Sequence, residues 1–263
     1  MSVTKSNSRH SFHREVDVMG TVFTIDLYGG DARDEVLTTR LVDEVVLDLR
    51  TVDDVLSTWK RDSPLSRLRR GDLPLTAMPS MVIEVFEACQ SARLASRGWF
   101  DPWSMPGGVD PTGLVKGWAA QLALDHLKEL DLTGAVVNAA GDIASFGGPD
   151  VGQRFRFGVV RPDDPMKLAC ILESPGAVAT SGTYERGNHL INPFTGDARS
   201  AVSATVTGPE LGLADALATA LAVAGRAGIE FIDELEHYEG LIIEPTGAQV
   251  KSQGFEMVEN LLV

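Results

Sequence analysis

Thr180-Ser181-Gly182-Thr183-Tyr184-Glu185-Arg186-Gly187-Asn188-His189-Leu190-Ile191-Asn192-Pro193-Phe194-Thr195-Gly196 is the stretch around which the chain is ordered. It opens on small residues and hydroxyls, passes through charged and aromatic side chains, and delivers one histidine ahead of an Asn-Pro and a Thr-Gly turn. Neither a helix nor a strand gains from that composition, because glycine permits unusual backbone angles and Pro193 stops regular continuation. Residues 177–180 before it and 201–206 after it read as short strands. A loop so placed either holds a ligand or is plain surface, and its own residues leave both readings open.

Working outward, residues 14–29 alternate, with Val16, Val18, Val22, Ile25 and Leu27 apolar, and break at Met19-Gly20-Thr21. Two strands or one kinked strand follow, with the Gly20 backbone open to close approach. In residues 34–57, Leu37, Leu41, Val45, Leu49, Val52 and Leu56 recur at helical spacing. A short helix over 65–68 follows Pro64, and Pro79 opens a second long helix that stops by Gly98. Next come the aromatic loop Trp99-Phe100-Asp101-Pro102-Trp103 and the run 109–117, which leads into a helix over 118–130. Strands over 135–138 and 143–146 flank Asn138-Ala139-Ala140-Gly141-Asp142, and strands over 155–161 and 168–173 come before the opening stretch. After it lie an alanine-rich helix over 211–224, a helix near 228–235 and a strand pair at 241–244 and 248–251. Helices and strands mix without regular alternation, which predicts α+β rather than a doubly wound parallel sheet.

With 263 residues, 44% of them hydrophobic and 23% charged, the chain has the balance of a globular domain with a proper core. Its 37 acidic against 23 basic residues, a formal net charge of -14, argue against generic binding to nucleic acid or to an anionic membrane surface. An anionic ligand would need local help from a cation, a helix N-terminus or placed basic side chains. Cys89 and Cys170 lie among apolar residues and read as buried thiols. The start of the chain is polar, so the expectation is a flexible segment over 1–13, a single domain over 14–263, no signal peptide or membrane anchor, and a cytoplasmic location.

Four groups of residues could carry chemistry. Asp110, Gly113 and Lys116 precede a helix, where free N–H groups and Lys116 could receive a phosphate; the alternative is a solvent-facing lysine beside a turn-forming Asp-Pro. Gly-x4-Gly-Lys-Ser/Thr spacing is absent, so this is not a P-loop. Asp215 and Thr219, four apart, share one helix face and form half of a hard-cation site. Their alternative is a dipole-favoured Asp and a Thr bonded back to a carbonyl. His189 could take a proton from an attacking hydroxyl near neutral pH, or be simply solvated. Trp59, Trp99 and Trp103 could stack an aromatic ring, or serve as core or lid.

In order, Met19-Gly20-Thr21, Leu56-Ser57-Thr58-Trp59 through Ser63-Pro64-Leu65-Ser66-Arg67-Leu68, Gly98-Trp99-Phe100-Asp101-Pro102, Val109-Asp110 through Lys116-Gly117, Asn138 to Asp142, Ala179 through Gly196 and Ala214 to Ala220 resemble the FAD:protein FMN transferase, or ApbE-like, family over residues 16–245. The resemblance implies an ApbE-like α+β fold, mixed or antiparallel sheets packed with helices, with an FAD cleft between two halves. It implies an Mg²⁺-dependent enzyme that moves FMN from FAD onto a Ser or Thr of a partner flavoprotein and releases AMP. Met19, Trp59, Trp99, Phe100, Asp101, Asp110, Lys116 and Leu190 would line the FAD site. Asp215, Thr219 and the Gly113 carbonyl would hold Mg²⁺, and His189 would assist the attacking hydroxyl. An FAD pyrophosphatase giving FMN and AMP, or a non-catalytic flavin-binding protein, is the alternative. Between Asp101 and Asp110 the chain is shorter than in many members, and Ala140 stands where the family often has glycine; that alanine matters if its turn needs a positive φ.

Overall fold

Alternation of apolar and polar side chains folds the N-terminal part into a hairpin, β1 (Phe12–Val18) and β2 (Thr21–Tyr28), with Val18 paired to Thr21 across a two-residue tip. These coordinates are a computed structural model that describes residues 12–173, 176–182, 190–197, 203–244 and 246–261. The sheet continues through β3 (Gly134–Ala139) and β4 (Asp142–Gly147), then β7 (Ala177–Gly182), β8 (Ser203–Gly208), β9 (Glu239–Ile243) and β10 (Gln249–Lys251). Its order is β1-β2-β3-β4-β7-β8-β9-β10, and every neighbouring pair is antiparallel. A smaller antiparallel sheet joins β5 (Arg156–Arg161), β6 (Asp164–Glu173) and β11 (Glu259–Asn260), the last too short to show in the sequence pattern.

Period-two side-chain alternation gives the large sheet two apolar faces. Phe23, Ile25, Val137, Ala144, Ala179 and Val206 meet the helices in the main core. Val178, Leu241 and Ile243 point the other way and pack on Val159, Cys170 and Leu172 of the small sheet. Burial pushes the Cys89 thiol up to about 12 and the Cys170 thiol up to about 11, so both stay protonated and inert.

On the helical face, α1 (Glu35–Leu56) starts at Asp34, whose carboxylate accepts from the Val36 and Leu37 amides. Pro64 at the first turn and a Ser63 cap set α2 (Pro64–Arg69), and α3 (Ser80–Ala95) follows Pro79. α4 runs Thr112–Leu127, six residues earlier than its apolar pattern predicts. Gly113 and Gly117 read as punctuation in sequence, yet here they are helical because α5 (Leu211–Ala224) lies against them. α5 is apolar nearly all round because it is enclosed by α3, α4, β7 and β8. The short α6 (Ile229–Asp233) returns the chain to β9.

Both hairpin tips at one end of the sheet are strained. Met19 (φ 55) with Gly20 (φ 70), and Ala140 (φ 53) with Gly141 (φ 101), place two successive residues at positive φ, the requirement of a type I′ turn. The turn at Ala140 therefore does need the conformation that glycine supplies. Asn138 stabilises that tip by accepting the Gly141 amide at 2.7 Å. Ala140→Gly is expected to add about 1 kcal/mol of stability and to raise Tm by about 2–4 °C in thermal denaturation; an unchanged or lower Tm would contradict strain at this tip.

Candidate active site

Antiparallel pairing brings the sequence motifs to one end of the sheet. The tips at Met19-Gly20 and Ala140-Gly141 lie beside each other because Phe23 pairs with Ala139. β4 begins there with Asp142, β7 ends there at Gly182, and β8 starts opposite it at Ser203. α4 and α5 cross on the helical side of that end.

At the crossing, a Cβ on Gly113 would lie 3.3 Å from Thr219 Oγ1 and 3.2 Å from the Phe100 ring. Asp215, almost fully buried, accepts the Gly117 amide at 3.0 Å. In a regular helix that amide serves the Gly113 carbonyl, so the carboxylate competes for the donor and loosens its claim on this oxygen. Thr219 Oγ1 lies 3.2 Å from Ser181 Oγ on β7. A carboxylate and two hydroxyls thus lie where two helices and a strand end meet. All are oxygen donors, which suits a hard cation such as Mg²⁺. Among the described residues no group of three His, Cys, Asp or Glu side chains is placed to hold a metal. A cation here would therefore need oxygens from its substrate as well.

Lys116, one turn into α4, forms an ion pair with Asp142, which is 1% exposed. The other carboxylate oxygen of Asp142 accepts the Thr180 amide at 2.9 Å, and the Thr180 hydroxyl meets that of Thr205 at 2.9 Å. Asp142 so ties α4 to the end of β7, and the lysine charge is compensated from within. The anion site expected at the helix start is also differently furnished. α4 begins at Thr112, where the Asp110 carboxylate already accepts the Thr112 amide and hydroxyl at 3.1 and 2.7 Å. A carboxylate at that position occupies one of the amides at the helix end that was read as open to phosphate.

Asp110 is held on its other oxygen by Arg69 at 3.3 Å, and Arg69 also donates to the Pro106 and Gly107 carbonyls. Arg93 similarly holds Asp101, which caps the Trp103 amide. Both carboxylates brace the loop between Asp101 and Asp110. Phe100 is buried against Gly113 as a wall of the crossing, and Leu190 is buried in the core. Trp99 is half-buried and meets Phe194 edge-on, with ring centres 4.9 Å apart. Trp59 is 93% exposed on a turn built by Ser57, whose hydroxyl accepts the Trp59 and Lys60 amides. Met19 sits at its strained tip. His189 lies outside the described residues.

The sequence reading missed Ser181, Asp142 and Arg69 as members of this arrangement, and Gly117 as the contact that sets the helix spacing. One signal was available. Gly113 and Gly117 repeat at the same four-residue interval as Asp215 and Thr219, and helices that cross closely align small residues in this way.

A sequence profile described as the ApbE family matches residues 19–108 and 104–242. Sequence similarity to curated relatives is more local. The chain is 31% identical over 130 residues to the "FAD:protein FMN transferase" of Vibrio cholerae serotype O1, covering 45% of this chain and 39% of that protein. Against the "FAD:protein FMN transferase" of Rhodobacter capsulatus it is 35% identical over 129 residues, covering 45% and 24%. The matched stretch spans well under half of either relative. In three dimensions, the flavin transferase ApbE of Vibrio cholerae superposes with a TM-score of 0.75 at 22% identity, over 93% of this chain and 97% of that one. The chain's helices packed on an antiparallel sheet thus have the ApbE-type α+β fold. The chain belongs to the ApbE family.

Proposed function

We propose that the chain transfers the FMN part of FAD to a Ser or Thr hydroxyl of a partner flavoprotein, with release of AMP. Family membership and the names of both relatives support the class of reaction. The observation that carries it to this chain is the crossing of α4 and α5, where Asp215 and Thr219 share one face of α5 and Gly113 of α4 packs against Thr219.

Asp215, Thr219 and the Gly113 carbonyl would hold Mg²⁺, which when bound neutralises charge on the phosphate oxygens. Around it, this chain's residues position and exclude. Asp142 and Lys116 fix the end of β7, and with it Ser181, against Thr219. Phe100 packs against Gly113 at the crossing, and Arg69 and Arg93 hold the loop between Asp101 and Asp110. The acceptor oxygen bonds to the FMN-side phosphorus as the bond to the AMP oxygen breaks, and the acceptor proton passes to His189. Displacement of this kind depends chiefly on alignment and charge stabilisation, and a placed base adds about 10²–10⁴ in rate.

The test is mass spectrometry of an FMN-binding acceptor domain incubated with this protein, FAD and Mg²⁺. The expected result is an acceptor heavier by one FMN together with stoichiometric AMP. Free FMN and AMP with an unmodified acceptor would establish the pyrophosphatase instead, and neither product would leave a flavin-binding protein.

A further inference from the structure

One exposed apolar residue beside Trp99 has no role in the proposed reaction. Phe194 is 62% exposed, yet it stands on a built turn. Asn192, 3% exposed, accepts the Phe194 amide through Oδ1 at 2.9 Å and the Gly196 amide through its carbonyl at 2.8 Å, and donates its own amide to the Asp197 carbonyl at 2.9 Å. A buried asparagine with this many partners fixes the backbone on which the ring is mounted.

The ring is braced as well. Trp99 meets it at an interplanar angle of 82°, so each ring supports the other without covering it. Gly98, at φ 85, lies beneath it: a Cβ there would come within 3.5 Å of the Phe194 ring. Trp99 is followed directly by Phe100, whose ring touches Gly113. The exposed ring therefore stands one residue removed from the wall of the oxygen cluster, with Leu190 buried four residues earlier on its own segment.

We infer that Phe194 is a ligand-contact residue on which a planar heteroaromatic ring of FAD rests, with Trp99 as its fixed support. The inference builds on the FAD reading above. A rigid aromatic face loses little conformational freedom on stacking, and stacking on such faces tolerates any ring system. With 37 acidic against 23 basic residues, the chain's overall charge does not attract the phosphates of FAD. Apolar contact to the ring system supplies affinity that charge does not.

Binding separates this from structural roles. The flavin fluorescence of FAD and of FMN is titrated with parent protein, Phe194→Ala and Phe194→Tyr in EDTA, so that turnover does not intervene, and AMP binding is read by calorimetry. Phe194→Ala is expected to weaken FAD binding about tenfold with Tm nearly unchanged, and Phe194→Tyr to restore it. A loss shared by FAD and FMN assigns the contact to the isoalloxazine; a loss shared by FAD and AMP assigns it to adenine. Equal FAD affinity in parent and Phe194→Ala overturns the inference and leaves the proposed reaction standing. So does unchanged FAD binding with a raised KM for the acceptor, which would place Phe194 on the protein-docking side. Absence of FAD binding by the parent, in EDTA and with Mg²⁺ restored alike, overturns both.

Discussion

Asp215→Asn is expected to lower Mg²⁺-dependent AMP release from FAD on the order of 10³-fold, about 4 kcal/mol of transition-state stabilisation. Asparagine keeps the shape and an oxygen that accepts the Gly117 amide, so the α4–α5 crossing persists and Tm stays close to that of the parent. Alanine is the poorer probe, because it removes the partner of a buried amide together with the charge. The loss should be partly recovered by raising Mg²⁺, since the substrate oxygens and Thr219 remain. Turnover within a few-fold of the parent at equal Mg²⁺ would remove Asp215 from the metal site. EDTA treatment of the parent sets the floor against which the variant is read.

Gly117→Ala is expected to have the largest effect on stability. A glycine-to-alanine change inside a helix ordinarily stabilises it by about 1 kcal/mol. Here the new Cβ would lie 2.6 Å from the Leu211 carbonyl oxygen and 2.8 Å from Asp215 Cβ. Neither is the flexible end of a side chain, so the helices must separate. A cost of roughly 3 kcal/mol and a fall in Tm of roughly 6–12 °C follow. Gly113→Ala should be milder in stability, because its nearest neighbours, the Phe100 ring at 3.2 Å and Thr219 Oγ1 at 3.3 Å, can yield by a few tenths of an ångström. Its effect should fall on Mg²⁺ affinity, as it crowds the hydroxyl proposed as a ligand. Denaturation curves of both variants test the ranking, and Gly117→Ala with the Tm of the parent would show that the crossing is not set by this contact.

The two variants also show what could be read before any coordinates. Asp215 and Thr219 were identifiable as a pair because a four-residue interval on a helix puts two side chains on one face whatever surrounds them. The α5 boundaries were legible for a related reason: Glu210 caps the helix and Gly225, at φ 62, ends it. The start of α4 was not, because glycine is a poor helix former in isolation and only the approach of α5 gives Gly113 and Gly117 their advantage. Asp110 and Lys116 were visible as polar residues near a helix start. Their partners, Arg69 and Asp142, lie 41 and 26 positions away in the chain, a separation that local pattern does not bridge.

By itself, then, the sequence determined most of the elements, though not the start of α4 or the short β11, together with the α+β class and the residue types that converge. These follow from periodicity and turn chemistry, which act over a few residues. Tertiary structure alone decided how each carboxylate is engaged. It holds Asp101 and Asp110 with arginines, pairs Asp142 with Lys116, and sets Asp215 against the Gly117 amide at the crossing of α4 and α5. A carboxylate's role is set by which cation or amide reaches it first, and that depends on how the helices pack against the sheet.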